Sequence, residues 1–279
     1  MSLISVEQLA LLLSDANTRI IDARYVLGDA HAGYQAYLKA HIPGALYVSL
    51  DDDLSSEKTN PSLGRHPLPS AEKFTALLSR LGIHAEMRVI VYDQSDAAMA
   101  ASRFWFLMRM AGHKNVSVLN GGMNAWLAAQ LPVEQDVVKP SASNYPVQFQ
   151  TGMLIEASEL KALLNNTQES VLMDARAPER FRGELEPLDK KAGHIPGAVN
   201  RPFSMNLHDG LFKSPEQLRA EFAPFIEGRQ NILLSCGSGV TACHNALALS
   251  HAGIENYRLF APSWSGWVAD DENPIAIGQ

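Results

Sequence analysis

Short apolar runs alternate along this chain with segments whose apolar residues recur every three or four positions. The runs at 19–23, 45–48, 88–92 and 115–119 read as strands, and 5–14, 70–81, 97–111 and 122–129 read as amphipathic helices. The alternation returns later, with strands at 170–174, 198–200, 231–235 and 256–260 and helices at 157–165, 214–223, 240–252 and 263–269. Apolar strands alternating with helices predict an α/β fold of parallel sheets covered on both faces. In such sheets ligands gather beyond the C-terminal ends of the strands.

The two halves repeat one another. Ile20-Ile21-Asp22-Ala23-Arg24 returns as Leu172-Met173-Asp174-Ala175-Arg176, and His41-Ile42-Pro43-Gly44-Ala45 as His194-Ile195-Pro196-Gly197-Ala198. Val89 to Asp93 aligns with Ile232 to Cys236, and Gly122 to Trp126 with Ser263 to Trp267. A repeat this long is a duplicated domain, not a solenoid. The division expected is a domain over 1–130, a Pro/Ser-rich linker over 131–151 and a second domain over 152–279.

Composition narrows the function classes. A hydrophobic fraction of 46% and a charged fraction of 19% are those of a globular protein. A formal charge of −7 with no polybasic run argues against nucleic acid as a partner. No apolar stretch approaches the ~20 residues of a membrane span. The first residues lack the basic segment and cleavage site of a signal peptide. The two cysteines, Cys236 and Cys243, sit at one strand–helix junction, where a disulfide would constrain little. These features point to a reducing cytoplasm. A monomer is expected.

The chemistry concentrates in Asn231 to Cys243: a buried strand, a glycine-rich loop opening with Cys236, then a helix. Unsatisfied N–H groups and the positive end of the helix dipole suit an anionic sulfur there. Gly237 and Gly239 allow several N–H groups to point at one anion. Cys236 therefore reads as a nucleophile. Cys243, about two turns into the helix, reads as a packed small hydrophobe. His41 and His194 precede turns in separate repeats and read as packing residues. Nothing has zinc spacing, so neither a metal nor another cofactor is expected. Asp22/Arg24 and Asp174/Arg176 read as strand-end ion pairs.

Both Asp-Ala-Arg strands, both His-Ile-Pro-Gly-Ala turns and the six-residue loop Cys236–Thr241 resemble the tandem-domain rhodanese (sulfurtransferase) family over essentially the full length. The loop spelling Cys-Gly-Ser-Gly-Val-Thr looks like the 3-mercaptopyruvate sulfurtransferase branch. The thiosulfate branch usually carries basic residues where this chain has Gly237 and Ser238. The resemblance implies two tandem rhodanese-like domains and a Cys236 persulfide. Sulfur would pass from a small-molecule donor to cyanide or to a thiol such as thioredoxin.

It also implies residue roles. Ser238 is a proton-relaying hydroxyl beside the sulfur. Asp51, ten residues after His41, and His66, in His66-Pro67-Leu68-Pro69, complete the relay and come from the first half. Arg180 clamps the donor carboxylate, and Arg182 either assists or pairs with Glu184 or Glu186. Gly237, Gly239, Val240 and Thr241 complete the donor-binding loop. The branch often has a second arginine after Glu-Pro. This chain has Leu188 and Asp189 there, followed by Lys190 and Lys191, either of which could substitute.

In the first half Asp93 takes the place of Cys236, and Gln94-Ser95-Asp96 is expected not to cradle an anion. That domain is expected to be catalytically inactive. Three other functions remain for comparison. A thiosulfate sulfurtransferase is the alternative enzyme, and a non-catalytic rhodanese binding module ranks below it. A cysteine phosphatase needs an arginine closing Cys-x5-Arg, and Ala242 stands there.

Overall fold

A computed structural model describes residues 2–165 and 168–278. Contacts divide the chain into two units. The first holds the residues up to Ser56 together with Leu68–Gln150 and Asp209–Phe212. The second holds Glu57–Pro67, Thr151–His208 and the chain from Lys213 onward. A short stretch of the first half, Glu57–Pro67, thus belongs to the compact unit of the second.

In the first unit, β1 (Leu3–Ile4), β2 (Thr18–Asp22), β3 (Leu46–Tyr47), β4 (Arg88–Tyr92) and β5 (Val116–Leu119) form a parallel sheet in the order β1-β5-β4-β2-β3. Ile20 of β2 sits opposite Ile90 of β4. Val89–Tyr92 are wholly buried, which is why β4 reads as an unbroken apolar run. The helices are α1 (Val6–Ala10), α2 (Ala32–Lys39), α3 (Ala71–Arg80), α4 (Ala100–Met110) and α5 (Gly122–Ala128). Ser5 and Gln8 cap α1 reciprocally, and Ser70 caps α3. The core gathers Ile4, Leu9, Ile20, Ile90, Leu119 and Trp126.

The second unit contains α6 (Ala157–Leu164), β6 (Ser170–Asp174), α7 (Pro178–Phe181), β7 (Ala198–Asn200) and β8 (Leu207–His208). After β9 (Leu211–Phe212), which groups with the first unit, come α8 (Pro215–Ile226), β10 (Asn231–Ser235), α9 (Thr241–His251), β11 (Tyr257–Leu259) and α10 (Ser263–Trp267). Its parallel sheet runs β11-β10-β6-β7, with Leu233 opposite Leu172. Leu172, Leu233, Phe260, Trp264 and Trp267 anchor its core.

The repeated motifs do the same work twice. Arg24 Nε reaches both oxygens of Asp22 at 3.1 and 2.9 Å, and its Nη2 donates to Ala40 O at 2.6 Å. Arg176 Nε reaches both oxygens of Asp174 at 3.1 and 3.0 Å, and its Nη2 donates to Gly193 O at 2.8 Å. All four side chains are buried, so removing one partner costs about 3–5 kcal/mol. His41 and His194, the residues after Ala40 and Gly193, stack on Tyr37 and Phe181 with ring centroids 4.0 and 3.8 Å apart. Each Nδ1 also bonds the carbonyl of the ring it stacks on, at 2.7 and 2.8 Å. They are packing residues, and no group suited to a metal ion occurs among the described residues.

The loop after β4 turns its backbone N–H groups onto the carboxyl of Asp93 itself. Ala97 N donates to Asp93 Oδ1 at 3.0 Å, and the Ser95 and Met99 backbones also bond the carboxyl. Burial, then the nearby charge of Asp96, push this carboxyl up to about 7.

Candidate active site

Cys236 follows the last residue of β10, and the four residues 237–240 carry the chain into α9. Its side chain is 1% exposed. Gly239 N donates to Cys236 Sγ at 3.1 Å. Gly239 has φ +75°, and a Cβ there would come within 2.2 Å of Ala261 O, so only glycine keeps the loop closed over the sulfur. Val240 is buried at the N-terminal cap of α9, and Thr241 opens the helix half-buried. Both cysteines are free thiols, and Cys243 Sγ donates to Gly239 O at 3.3 Å from within α9.

The start of α10 clamps this loop from the other side. Trp264 N and Ser265 N donate to Cys236 O and Gly237 O at 3.0 and 2.9 Å. Ser263 Oγ accepts Cys236 N–H at 3.1 Å and lies 4.0 Å from Sγ. Ser263 holds φ +52°, an uncommon conformation for a residue with a side chain. Sequence reasoning missed Ser263. Its only signal was that Ser263 to Trp267 repeats Gly122 to Trp126.

The Gly64-Arg65-His66 stretch docks on the same helix. A Cβ on Gly64 would meet Pro262 O at 2.5 Å, and Arg65 N donates to Ser265 Oγ at 3.0 Å. This fixes His66, whose Nδ1 lies 2.8 Å from Ser238 Oγ, both side chains being buried. The structure therefore joins two expected relay residues that stand 172 positions apart. Asp51 is placed in the first unit. There burial, and then its charge and hydrogen bond, push the Tyr25 hydroxyl up to about 12. The adjacent acids are engaged elsewhere: Asp52 accepts from Ser49 Oγ at 3.1 Å, and Asp53 pairs with Arg80 at 2.6 Å.

Arg180 sits at the end of α7 with its guanidinium beside Gly237. The point a Cβ would occupy on Gly237 lies 3.5 Å from both Arg180 Nη1 and Nη2. Glu186 holds Arg180 Nη2 at 2.7 Å and also accepts the N–H groups of Leu188 and Asp189 at 3.0 and 3.2 Å. Arg182 does not join the loop residues. Its fork closes on Glu184, with Nε and Nη2 at 2.7 and 2.8 Å from the two oxygens. Lys190 and Lys191 are engaged with an acidic side chain. Both pair with Asp271 at 2.9 Å and hold that carboxyl down to about 2. The cation that does reach Gly237 beside Arg180 is Arg65, with Nη2 3.1 Å from the same point.

This site combines a buried thiol at a helix start, a His–Ser pair and guanidinium groups over the loop backbone. It can hold an anionic donor at sulfur and move a proton beside it. A Rhodanese-like domain model matches residues 5–129 and again 156–270. The chain is 40% identical to a probable 3-mercaptopyruvate sulfurtransferase of Pseudomonas aeruginosa, across 99% of this chain and 98% of that one. It is also 40% identical to the putative thiosulfate sulfurtransferase SseB of Mycobacterium tuberculosis, across 93% and 90%. The crystal structure of SseA, a 3-mercaptopyruvate sulfotransferase of Escherichia coli, superposes with a TM-score of 0.83 at 30% identity, covering 95% of this chain and 99% of that one. The chain belongs to the rhodanese family, with two copies of its domain.

Proposed function

We propose that the protein is a sulfurtransferase that takes sulfur from 3-mercaptopyruvate through a Cys236 persulfide. The observation that carries this reading is the placement of the Arg180 fork beside Gly237, next to the buried sulfur and the His66–Ser238 pair. Guanidinium binds a carboxylate through two parallel hydrogen bonds, so Arg180 presents an α-keto acid with its thiol toward Cys236.

In the first half-reaction the Cys236 thiolate attacks the donor sulfur. An S–S bond forms, the donor C–S bond breaks, and its electron pair leaves as the enolate of pyruvate. That enolate needs one proton at carbon, which the His66–Ser238 pair can deliver. In the second half-reaction a nucleophile takes the outer sulfur, giving thiocyanate from cyanide or a persulfide from a thiol, and the thiolate returns. No cofactor enters, and ping-pong kinetics follow from the covalent intermediate.

A second reading, thiosulfate as donor, has one observation in its favour: guanidinium groups over Gly237 also suit a dianion. The mercaptopyruvate reading keeps Asp51 as the third member of the relay. The first domain is catalytically silent, its anion cradle filled by Asp93. The sparse, free cysteines suit a reducing cytoplasm, a thiol acceptor such as thioredoxin fits the buried persulfide, and the protein works as a monomer. None of the described helices is long and apolar enough to cross a membrane. Steady-state rates of thiocyanate formation with each donor test the choice. A higher kcat/KM for mercaptopyruvate supports the first reading, and a higher value for thiosulfate replaces it with the second.

A further inference from the structure

The first unit holds a cavity of about 500 Å³ that shares no residue with the Cys236 site. It lies among α2, the edge strand β3, the end of α3 and the chain over 137–142, all within that unit. Part of its wall is aromatic. Tyr34 and Tyr37 stand about one turn apart on α2, and Tyr47 comes from β3. Their rings touch one another, with centroids 5.2 Å apart for Tyr34–Tyr47, 5.7 Å for Tyr37–Tyr47 and 6.1 Å for Tyr34–Tyr37. Val137, Val138 and Pro140 add apolar surface. Tyr34, Val137 and Val138 are 41%, 49% and 42% exposed, so much of this lining is open to solvent. The segment carrying the valines is tied at both ends. Glu134 exchanges backbone bonds with His41 at 3.0 and 2.9 Å, and Ser143 N donates to Ser79 O at 3.1 Å.

The charged groups lining the cavity are cations. Arg80, the last residue of α3, and Lys139 line it, and no carboxylate does. Asp53 takes one arm of the Arg80 fork at 2.6 Å, an exposed pair of the kind worth little. In a chain of formal charge −7, two cations at one cavity select an anion. The repeat shows that the fold itself does not need the aromatic wall. Strand register aligns Leu46 and Tyr47, opposite Ile21 and Asp22, with Val199 and Asn200, opposite Met173 and Asp174. Asn200 Nδ2 donates to the Arg176 carbonyl at 2.9 Å, and the Tyr47 hydroxyl donates to the matching Arg24 carbonyl at 3.4 Å. An asparagine suffices for that bond, so the Tyr47 ring is surplus to it. The cavity at the matching edge of the second unit is smaller, about 330 Å³, and its Arg182 is closed on Glu184.

We propose that this cavity is a binding site for a small aromatic carboxylate. The ligand's ring lies against Tyr34, Tyr47 and the two valines, and its carboxylate is taken by Arg80 and Lys139. A cavity of this size holds a molecule of one or two rings, not a folded partner. Ring contacts and apolar burial supply affinity, and the cations choose the sign of the charge. The site gives a binding role to the unit that carries Asp93 in place of a cysteine, and it holds whichever sulfur donor Cys236 uses.

The test is isothermal titration of the full chain with 2-naphthoate as the probe. The controls are 2-naphthylmethylamine, with the same rings and the opposite charge, and acetate, with the same charge and no ring. The expected result is one site for 2-naphthoate with Kd below about 1 mM, and binding of each control at least about ten-fold weaker. Tyr47→Asn, which puts the second unit's residue type at this position, and Lys139→Glu each weaken 2-naphthoate at least about five-fold. Backbone amide NMR shifts on titration centre on Tyr34, Tyr47 and residues 137–139. Because the probe is itself a carboxylate, the titration is repeated in Arg180→Met, where binding is retained if the site is the cavity. The absence of saturable binding, or equal binding of the amine, overturns the proposal. So does binding that is lost in Arg180→Met and kept in both cavity variants. If Tyr47→Asn fails to fold, an unchanged affinity in Lys139→Glu, a substitution at an exposed position, overturns it instead.

Discussion

Removing the Ser263 hydroxyl tests whether α10 holds the cysteine loop in shape. Ser263 is fully buried, accepts Cys236 N–H at 3.1 Å and donates to Phe260 O at 2.9 Å. In Ser263→Ala the Phe260 carbonyl keeps the Ser263 N–H at 3.2 Å, but the Cys236 N–H is left buried without this acceptor. Leaving such a donor unpaired costs about 1–3 kcal/mol. Ser263→Gly loses the same bond but relieves the left-handed backbone, which costs a residue with a side chain roughly 1–2 kcal/mol. Ordinarily glycine is worse than alanine by about 0.5–1 kcal/mol. Here the order inverts, with parent most stable, then Gly, then Ala. The assays are amide hydrogen exchange at Cys236 and urea unfolding of the second unit. In Ser263→Ala, protection at Cys236 falls by about five- to 150-fold, and sulfur loading slows because the loop is less fixed. Parental protection in Ser263→Ala, or an Ala variant more stable than the Gly variant, would refute the clamp.

Two further predictions concern proton chemistry. The Asp93 carboxyl stands at about 7 in the fold against an ordinary 3.8, so between those values the folded state holds a proton the unfolded chain has lost. Stability from this group is therefore full below about pH 4 and falls as pH rises toward 7, by on the order of 4 kcal/mol in total. Asp93→Asn should flatten that fall in urea titrations across pH 4–7, and parallel profiles for variant and parent would show the carboxyl is not responsible. His66→Ala should slow turnover of mercaptopyruvate by about a hundred-fold or more, and turnover of thiosulfate far less, since only the former releases an enolate needing a proton. Equal losses with both donors would remove His66 from the relay.

The strands and most helices were legible because each apolar run is short, local and repeated. The strands β10 and β6 follow directly from two continuous apolar segments, and the structure supplies their register. Helix α2 was missed: Ala-Gly-Tyr-Gln-Ala-Tyr-Leu-Lys buries only Gly33 and Tyr37 and has no side-chain cap. Helix α7 has four residues, too few to show a period. The first predicted helix stops at Ala10 rather than residue 14, with turns following. The loop at Cys236 announced itself through glycines beside a thiol. Arg65 and Ser263 did not, because their meaning arises from contacts between distant positions. Arg65 touches Ser265, 200 residues away, and Ser263 meets Cys236 27 residues away across a sheet end. Arg182 stood in the same short motif as Arg180, and only the structure shows that Glu184 claims it. The Asp93 loop held a detail its spelling does not show. Its acidic spelling predicts repulsion of an anion from outside, but the folded loop turns its N–H groups onto its own carboxyl.

The central claim is that the buried sulfur at the start of α9 carries the transferred atom. Intact-protein and peptide mass spectrometry after brief exposure to mercaptopyruvate, without acceptor, tests it most directly. The account predicts a gain of one sulfur atom confined to Cys236, lost on adding cyanide and absent in Cys236→Ser, which is also inactive. No gain on Cys236, a gain on Cys243 instead, or undiminished turnover in Cys236→Ser would contradict it.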